Sequence, residues 1–139
     1  MLFLYSIFLA LTQKHPSGSR AVQNPAANTL TVPAQGGTQQ VFDFTKSPAR
    51  VDGDTTVIAE NNNYSIVYFT ADQSFLITIL SDPAQAGRIA AEQELLVKLN
   101  VTQDEACKLK VALTVPAGVD EQLAGKDYGL SFCPSGQPF

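Results

Sequence analysis

Cys107-Lys-Leu-Lys-Val-Ala-Leu-Thr-Val115 is the stretch that decides the first reading of the fold. Its odd positions are Cys, Leu, Val, Leu and Val, and its even positions are Lys108, Lys110, Ala112 and Thr114. A period of two marks a strand with one buried and one wet face. Working backwards, Leu95, Val97, Leu99 and Val101 alternate in the same way and predict a strand over Glu94–Val101. Tyr64–Thr70 and Ser74–Leu80 are apolar at most positions, so they are expected to be central strands covered on both faces or nearly so. Thr29–Pro33, Gln40–Phe44, Thr55–Ala59 and Lys126–Phe132 complete the set of expected strands.

The punctuation between these runs is that of turns. Asp52-Gly53-Asp54, Asn61-Asn62-Asn63, Ala71-Asp72-Gln73 and Pro116-Ala117-Gly118 supply residues that accept tight or left-handed backbone. One segment breaks the pattern. Asp82-Pro83-Ala84-Gln85 offers an N-cap, a proline at the first helical position and a Gln three residues after the cap. It predicts one to three helical turns between Pro83 and Glu92, or else a plain loop. The expectation is an all-β chain of about seven to eight strands folded as an antiparallel β-sandwich, with a closed barrel as the alternative.

The chain has 139 residues, enough for one domain. Hydrophobic residues make up 45% and charged residues 16%, a balance that excludes a disordered chain. Thirteen acids stand against nine bases, with no basic cluster, so nucleic acid is not an expected partner. Leu2–Leu11 (LFLYSIFLAL) is an apolar run about half as long as a membrane span needs. It fits the hydrophobic region of a secretory leader, although no Lys or Arg precedes it and no clean small-x-small site follows. A buried N-terminal element of the fold is the other reading. The expected organisation is a signal-peptide-like leader over 1–20, a linker over 21–28 and a β-sandwich domain over 29–139. Export to the periplasm, the cell surface or the medium follows, with no stable membrane insertion once the leader is removed.

Cys107 and Cys133 are the two cysteines, and in an exported chain they read as one disulfide. If they lay on hairpin neighbours, Leu109 would face Ser131, mixing an apolar set with a polar one. Pro134 follows at once, so Cys133 is expected to sit just beyond a strand end.

The search for chemistry returns little. The one His, His15, lies in the leader, so no Ser or Cys triad can be assembled in the domain. Asp52-x-Asp54 could offer two oxygens to calcium but reads better as a turn, and Asp104-Glu105 reads as a turn edge. No cofactor is expected. Asn63-Tyr-Ser and Asn100-Val-Thr match the N-glycosylation pattern. Tyr64 and Tyr68 share one strand face: wet, they would form a stacking platform for a ligand; dry, they are core.

Val111–Cys133 (VALTVPAGVDEQLAGKDYGLSFC) has a further outline: a strand ending in Thr-Val-Pro-Ala-Gly, a short acidic loop, then Tyr-x-Leu-x-Phe. It resembles the closing two strands of secreted bacterial immunoglobulin-like modules. The resemblance implies an immunoglobulin-like sandwich with an adhesion, scaffold or assembly role. The expected function is therefore a non-enzymatic, exported surface, adhesion or assembly subunit, whose partners are other protein subunits or cell-surface ligands. Exposed strand edges would be its contact surface. The alternative is a small-ligand or carbohydrate-binding module using the Tyr64/Tyr68 face.

Overall fold

The two most apolar runs become the middle of a five-stranded sheet. In a computed structural model that describes residues 28–139, the chain is mostly β, with seven strands in two sheets and two α-helices. The strands are β1 (Thr29–Ala34), β2 (Gly37–Phe42), β3 (Arg50–Asp52), β4 (Thr55–Glu60), β5 (Tyr64–Phe69), β6 (Ser74–Ile79) and β7 (Val111–Thr114). The helices are α1 (Ala84–Leu99) and α2 (Gln103–Cys107). β1 and β2 form a hairpin sheet, and the larger sheet runs β3-β4-β5-β6-β7. The expected leader and nearly all of the expected linker lie outside the described residues.

β5 and β6 pair antiparallel, with Tyr64 opposite Ile79 and Tyr68 opposite Phe75. β7 joins β6 in parallel, Phe75 opposite Val111 and Ile77 opposite Leu113. The sheet is therefore mixed, which corrects the all-antiparallel expectation. A parallel neighbour needs a crossover connection. Here the segment holding α1 and α2 provides it.

Alternation assigns the two faces. Tyr64, Ile66, Tyr68, Phe75, Ile77, Ile79 and Leu113 are buried on one face. Full burial of each aliphatic chain contributes about 1.5–3 kcal/mol. Phe44, from the short 3-10 turn Phe44–Lys46, meets the rings of Tyr68 and Phe75 edge-on at 5.0 and 5.8 Å. Ser65, Val67, Phe69, Leu76, Thr78, Ala112 and Thr114 form the other face and are only half-buried.

The layer over the buried face is a helix together with the β1–β2 hairpin. α1 packs on β5 and β6, and Val32 and Val41 of the hairpin join the same core. Gly87 allows the close approach. A Cβ there would stand 3.1 Å from both the Ile79 Cγ2 atom and the Asn63 carbonyl oxygen.

Glu94–Val101 is not a strand. It is the last six residues of α1 and the turn that follows. Leu95 and Leu99 are fully buried, while Val97 between them is 72% exposed. That is the spacing of a helix face rather than of a pleat. α1 starts at Ala84, with Pro83 in the N-cap position and no side-chain cap. It stops at Asn100, whose left-handed backbone (φ 51°) lets its N–H reach the Leu96 and Val97 carbonyls.

Asp104 and Glu105 are likewise not a turn edge but the first turn of α2. The Thr102 side chain accepts from Glu105 N–H, and the Glu105 carboxylate accepts from Thr102 N–H, forming a capping box. Thr102→Ala is expected to cost about 1 kcal/mol, read as a lower urea midpoint at unchanged slope.

Lys126–Phe132 carries no strand. Its backbone is held at single points: Tyr128 N–H donates to Leu113 O at 2.8 Å, and Asp127 Oδ1 accepts from Leu113 N–H at 3.0 Å and Gly129 N–H at 2.9 Å. Gly136 is required where this segment folds back, because a Cβ there would lie 2.1 Å from Leu130 O.

Candidate functional site

Tyr64 and Tyr68 are the residues the sequence offered as a ligand face. Both are buried, at 7% and 4% exposure, and Tyr68 packs against Phe44 and Phe75. A stacking platform needs a wet ring face, so these tyrosines are core. Their side chains share a face with Ile66, and that face is the one roofed by α1 and the hairpin.

Cys107 and Cys133 form a disulfide, with Cα atoms 5.5 Å apart. It ties the last residue of α2 to the strand-free C-terminal segment, and Cys133 lies outside any strand. Beside it runs an open groove of about 600 Å³, lined by Gln35, Asp104, Lys108 and Ser135 among others. Its charged groups are one carboxylate and one ammonium, with no third group to complete a reacting set.

The chain's buried charges lie elsewhere. Arg88 and Glu92 stand one turn apart on α1, at 1% and 4% exposure. Arg88 Nε donates to Glu92 Oε1 at 3.0 Å. Its Nη2 donates to the carbonyls of Gly129 at 3.1 Å and Tyr128 at 3.4 Å. Glu92 in turn accepts from Ser131 N–H at 2.8 Å and from the Ser131 hydroxyl. The guanidinium lies 4.6 Å from the centre of the Phe139 ring, which meets Tyr128 edge-on. Apart from the Arg88–Glu92 bond itself, each of these bonds runs from the helix to the C-terminal segment. The pair is thus a second anchor for residues 126–139, beside the disulfide. Sequence reading missed it, although Arg-x-x-x-Glu is the spacing that puts two side chains on one helix face.

The remaining charged groups are at the surface. Asp72 accepts from the Ser74 hydroxyl at 2.6 Å and faces Lys110 Nζ at 3.2 Å. The Ser74 bond, then Lys110, holds its carboxyl below the ordinary carboxylate value. Asp52 pairs with Arg50 along β3 at 3.5 Å, just before the β3–β4 turn, where Gly53 has a φ of +57°. Among the described residues no three His, Cys, Asp or Glu side chains gather as a metal site would require. Asn63 and Asn100, of the two glycosylation patterns, are both exposed.

The edges of the large sheet are poor templates for another strand. β3 has three residues, all exposed and two of them charged. On β7, the outward N–H and C=O of Leu113 are already taken by Asp127 and Tyr128. What the fold does present is apolar surface on α1. Ile89 is 55% exposed and Val97 72%, on the helix face turned away from the sheet. Ala86, Ala90 and Gln93 lie exposed on that face with them. This surface can bind a complementary apolar surface; it holds no group placed to do chemistry.

No protein-family model matches the chain, and searches of curated proteins and of solved structures return no match.

Proposed function

We propose that the protein is a non-enzymatic, exported surface, adhesion or assembly subunit. The observation that carries this reading is the exposed apolar stripe on α1. Two large aliphatic side chains project into solvent from one helix face, while the buried Arg88–Glu92 pair is consumed by structural bonds. The reading takes these two side chains as part of a contact with another macromolecule. The disulfide supports export, because such bonds persist in oxidising compartments. No helix among the described residues is long and apolar enough to cross a membrane. The immunoglobulin-like likeness enters the proposal only through the Val111–Cys133 outline, of which Val111–Thr114 is a strand and Lys126–Phe132 is not. The contact surface moves from the strand edges, where the sequence put it, to the helix.

Chemical cross-linking of cells that produce the chain tests the reading. The expected product is a ladder of cross-linked species in the exported fraction, with Cys107 and Cys133 oxidised. A chain that stays in the cytoplasm, or is exported but never cross-links to anything, would overturn it.

A further inference from the structure

The C-terminal segment lies along the free edge of β7 without being a strand. Phe75 N–H donates to Lys110 O at 2.8 Å, so Lys110 and Ala112 turn their backbone groups to β6, while Val111 and Leu113 turn theirs outward. The segment meets this edge at Leu113, through the Tyr128 N–H and the Asp127 side chain. Beside Val111 an open groove of about 280 Å³ begins, lined by Phe69, Leu76, Lys110 and Asp127 among others. The segment is otherwise folded on itself: Gln137 N–H donates to Tyr128 O and Gly136 N–H to Cys133 O. Two holds keep it in place, and they differ in kind. Arg88 and Glu92 both belong to α1, so if the segment lifts, the two charges still face each other and water replaces the carbonyls and Ser131. That hold can be released. The disulfide cannot: while it stands, Cys133 stays at the last residue of α2. Both cysteines line the open groove of about 600 Å³, so a small thiol reagent can reach the bond.

We infer that residues 126–139 are an edge cap set by oxidation: in the dithiol form the segment can lift and bare the backbone edge of β7, and formation of the Cys107–Cys133 bond closes it. The closing step is exchange with an oxidant of the disulfide class. One cysteine thiolate attacks the oxidant's disulfide and expels a thiolate; the second cysteine then attacks the mixed bond and expels the other. The chain gives up two electrons and two protons, and the oxidant leaves as a dithiol. A bared strand edge is a template for an extended strand. Strand pairing through β7 is thus open to the chain before oxidation and closed after it. The inference does not depend on the α1 stripe. Burial of Tyr128 and Leu130 keeps the closed form the commoner one in both states. Loss of a bond that spans a sequence separation of 26 makes opening about a hundredfold more frequent.

Hydrogen exchange followed residue by residue in the full chain, oxidised and phosphine-reduced, tests it. On reduction the Leu113 and Tyr128 amides should exchange about a hundredfold faster. Within the reduced chain they should also exchange about tenfold or more faster than the Ile66 and Ile77 amides at mid-sheet, because the cap opens while the sheet stands. The double variant Cys107→Ser with Cys133→Ser should reproduce both results. Asp127→Ala in the oxidised chain removes one contact to Leu113 and leaves the disulfide, so it should speed Leu113 less than reduction does. Three results would overturn the inference. One is Leu113 and Tyr128 rates unmoved by reduction. Another is all four amides rising to one common rate, outright unfolding of the reduced chain included. The third is Asp127→Ala outdoing reduction. None of them bears on cross-linking of the oxidised chain in cells, so the assembly reading stands or falls separately.

Discussion

Replacing Glu92 by Leu is expected to lower stability by about 3–5 kcal/mol, because it strands a buried guanidinium without its counter-charge. Arg88 would keep the Gly129 and Tyr128 carbonyls and the Phe139 ring, all of them uncharged partners. The loss is several times that of a solvent-facing pair such as Glu94–Lys98 on the same helix, 3.8 Å apart and worth about 0.3–0.5 kcal/mol. In a domain of this size it corresponds to a fall in Tm of about 10–20 °C. Adding Arg88→Met to Glu92→Leu should recover most of the loss. The desolvation cost of the charges disappears with them, and two apolar side chains of similar length fill the site. Urea titrations of the two single variants and the double variant give the coupling. Single variants within 1 kcal/mol of the parent would show that Arg88 and Glu92 are not the anchor described.

Removing the disulfide by Cys107→Ser with Cys133→Ser is expected to cost roughly 3 kcal/mol. The bond closes a loop across a sequence separation of 26, and in the chain-entropy model the uncrosslinked chain regains that freedom when unfolded. Thermal denaturation should show a Tm lower by about 10 °C, matched by reduction of the parent chain. The two anchors hold the same segment, so their losses should not add. Once the disulfide is gone, residues 126–139 can detach locally, and Glu92→Leu then costs less than it does in the oxidised chain. Additive losses would mean that the segment has a further hold on the core.

These two anchors also show what the sequence could convey. The central strands were legible because Tyr64–Thr70 and Ser74–Leu80 are apolar almost throughout, which few environments other than mid-sheet accept. The reading failed where two periods coincide. Leu95, Val97, Leu99 and Val101 alternate like a strand, yet Leu95 and Leu99 are also one helical turn apart. The buried helix face is built from Ala84, Gly87, Arg88, Ala91 and Glu92 as well, residues too small or too polar to raise an apolar signal. Good helix formers over Ala84–Leu99 would have decided the matter, had propensity been weighed against pattern. Lys126–Phe132 failed for the opposite reason. Tyr128 and Leu130 are buried as an alternating strand would bury them, but Tyr128 N–H meets β7 at the Leu113 carbonyl alone, and the Tyr128 and Leu130 carbonyls accept from Gln137 and Cys133 of their own segment.

The candidate surface was less legible than the fold. Exposure of Ile89 and Val97 follows only once α1 is known to be a helix, and the sequence had placed Val97 on a buried strand face. Tyr64 and Tyr68 share a face, as the alternation required. Which face of a sheet is roofed depends on where α1 and the hairpin lie, and no local pattern encodes that.

The mass of the full chain by light scattering, from a few micromolar to several hundred micromolar, tests the central claim most directly. The account predicts a mass that rises reversibly above the 14.9 kDa monomer as concentration grows. A constant monomer mass over the whole range would contradict it.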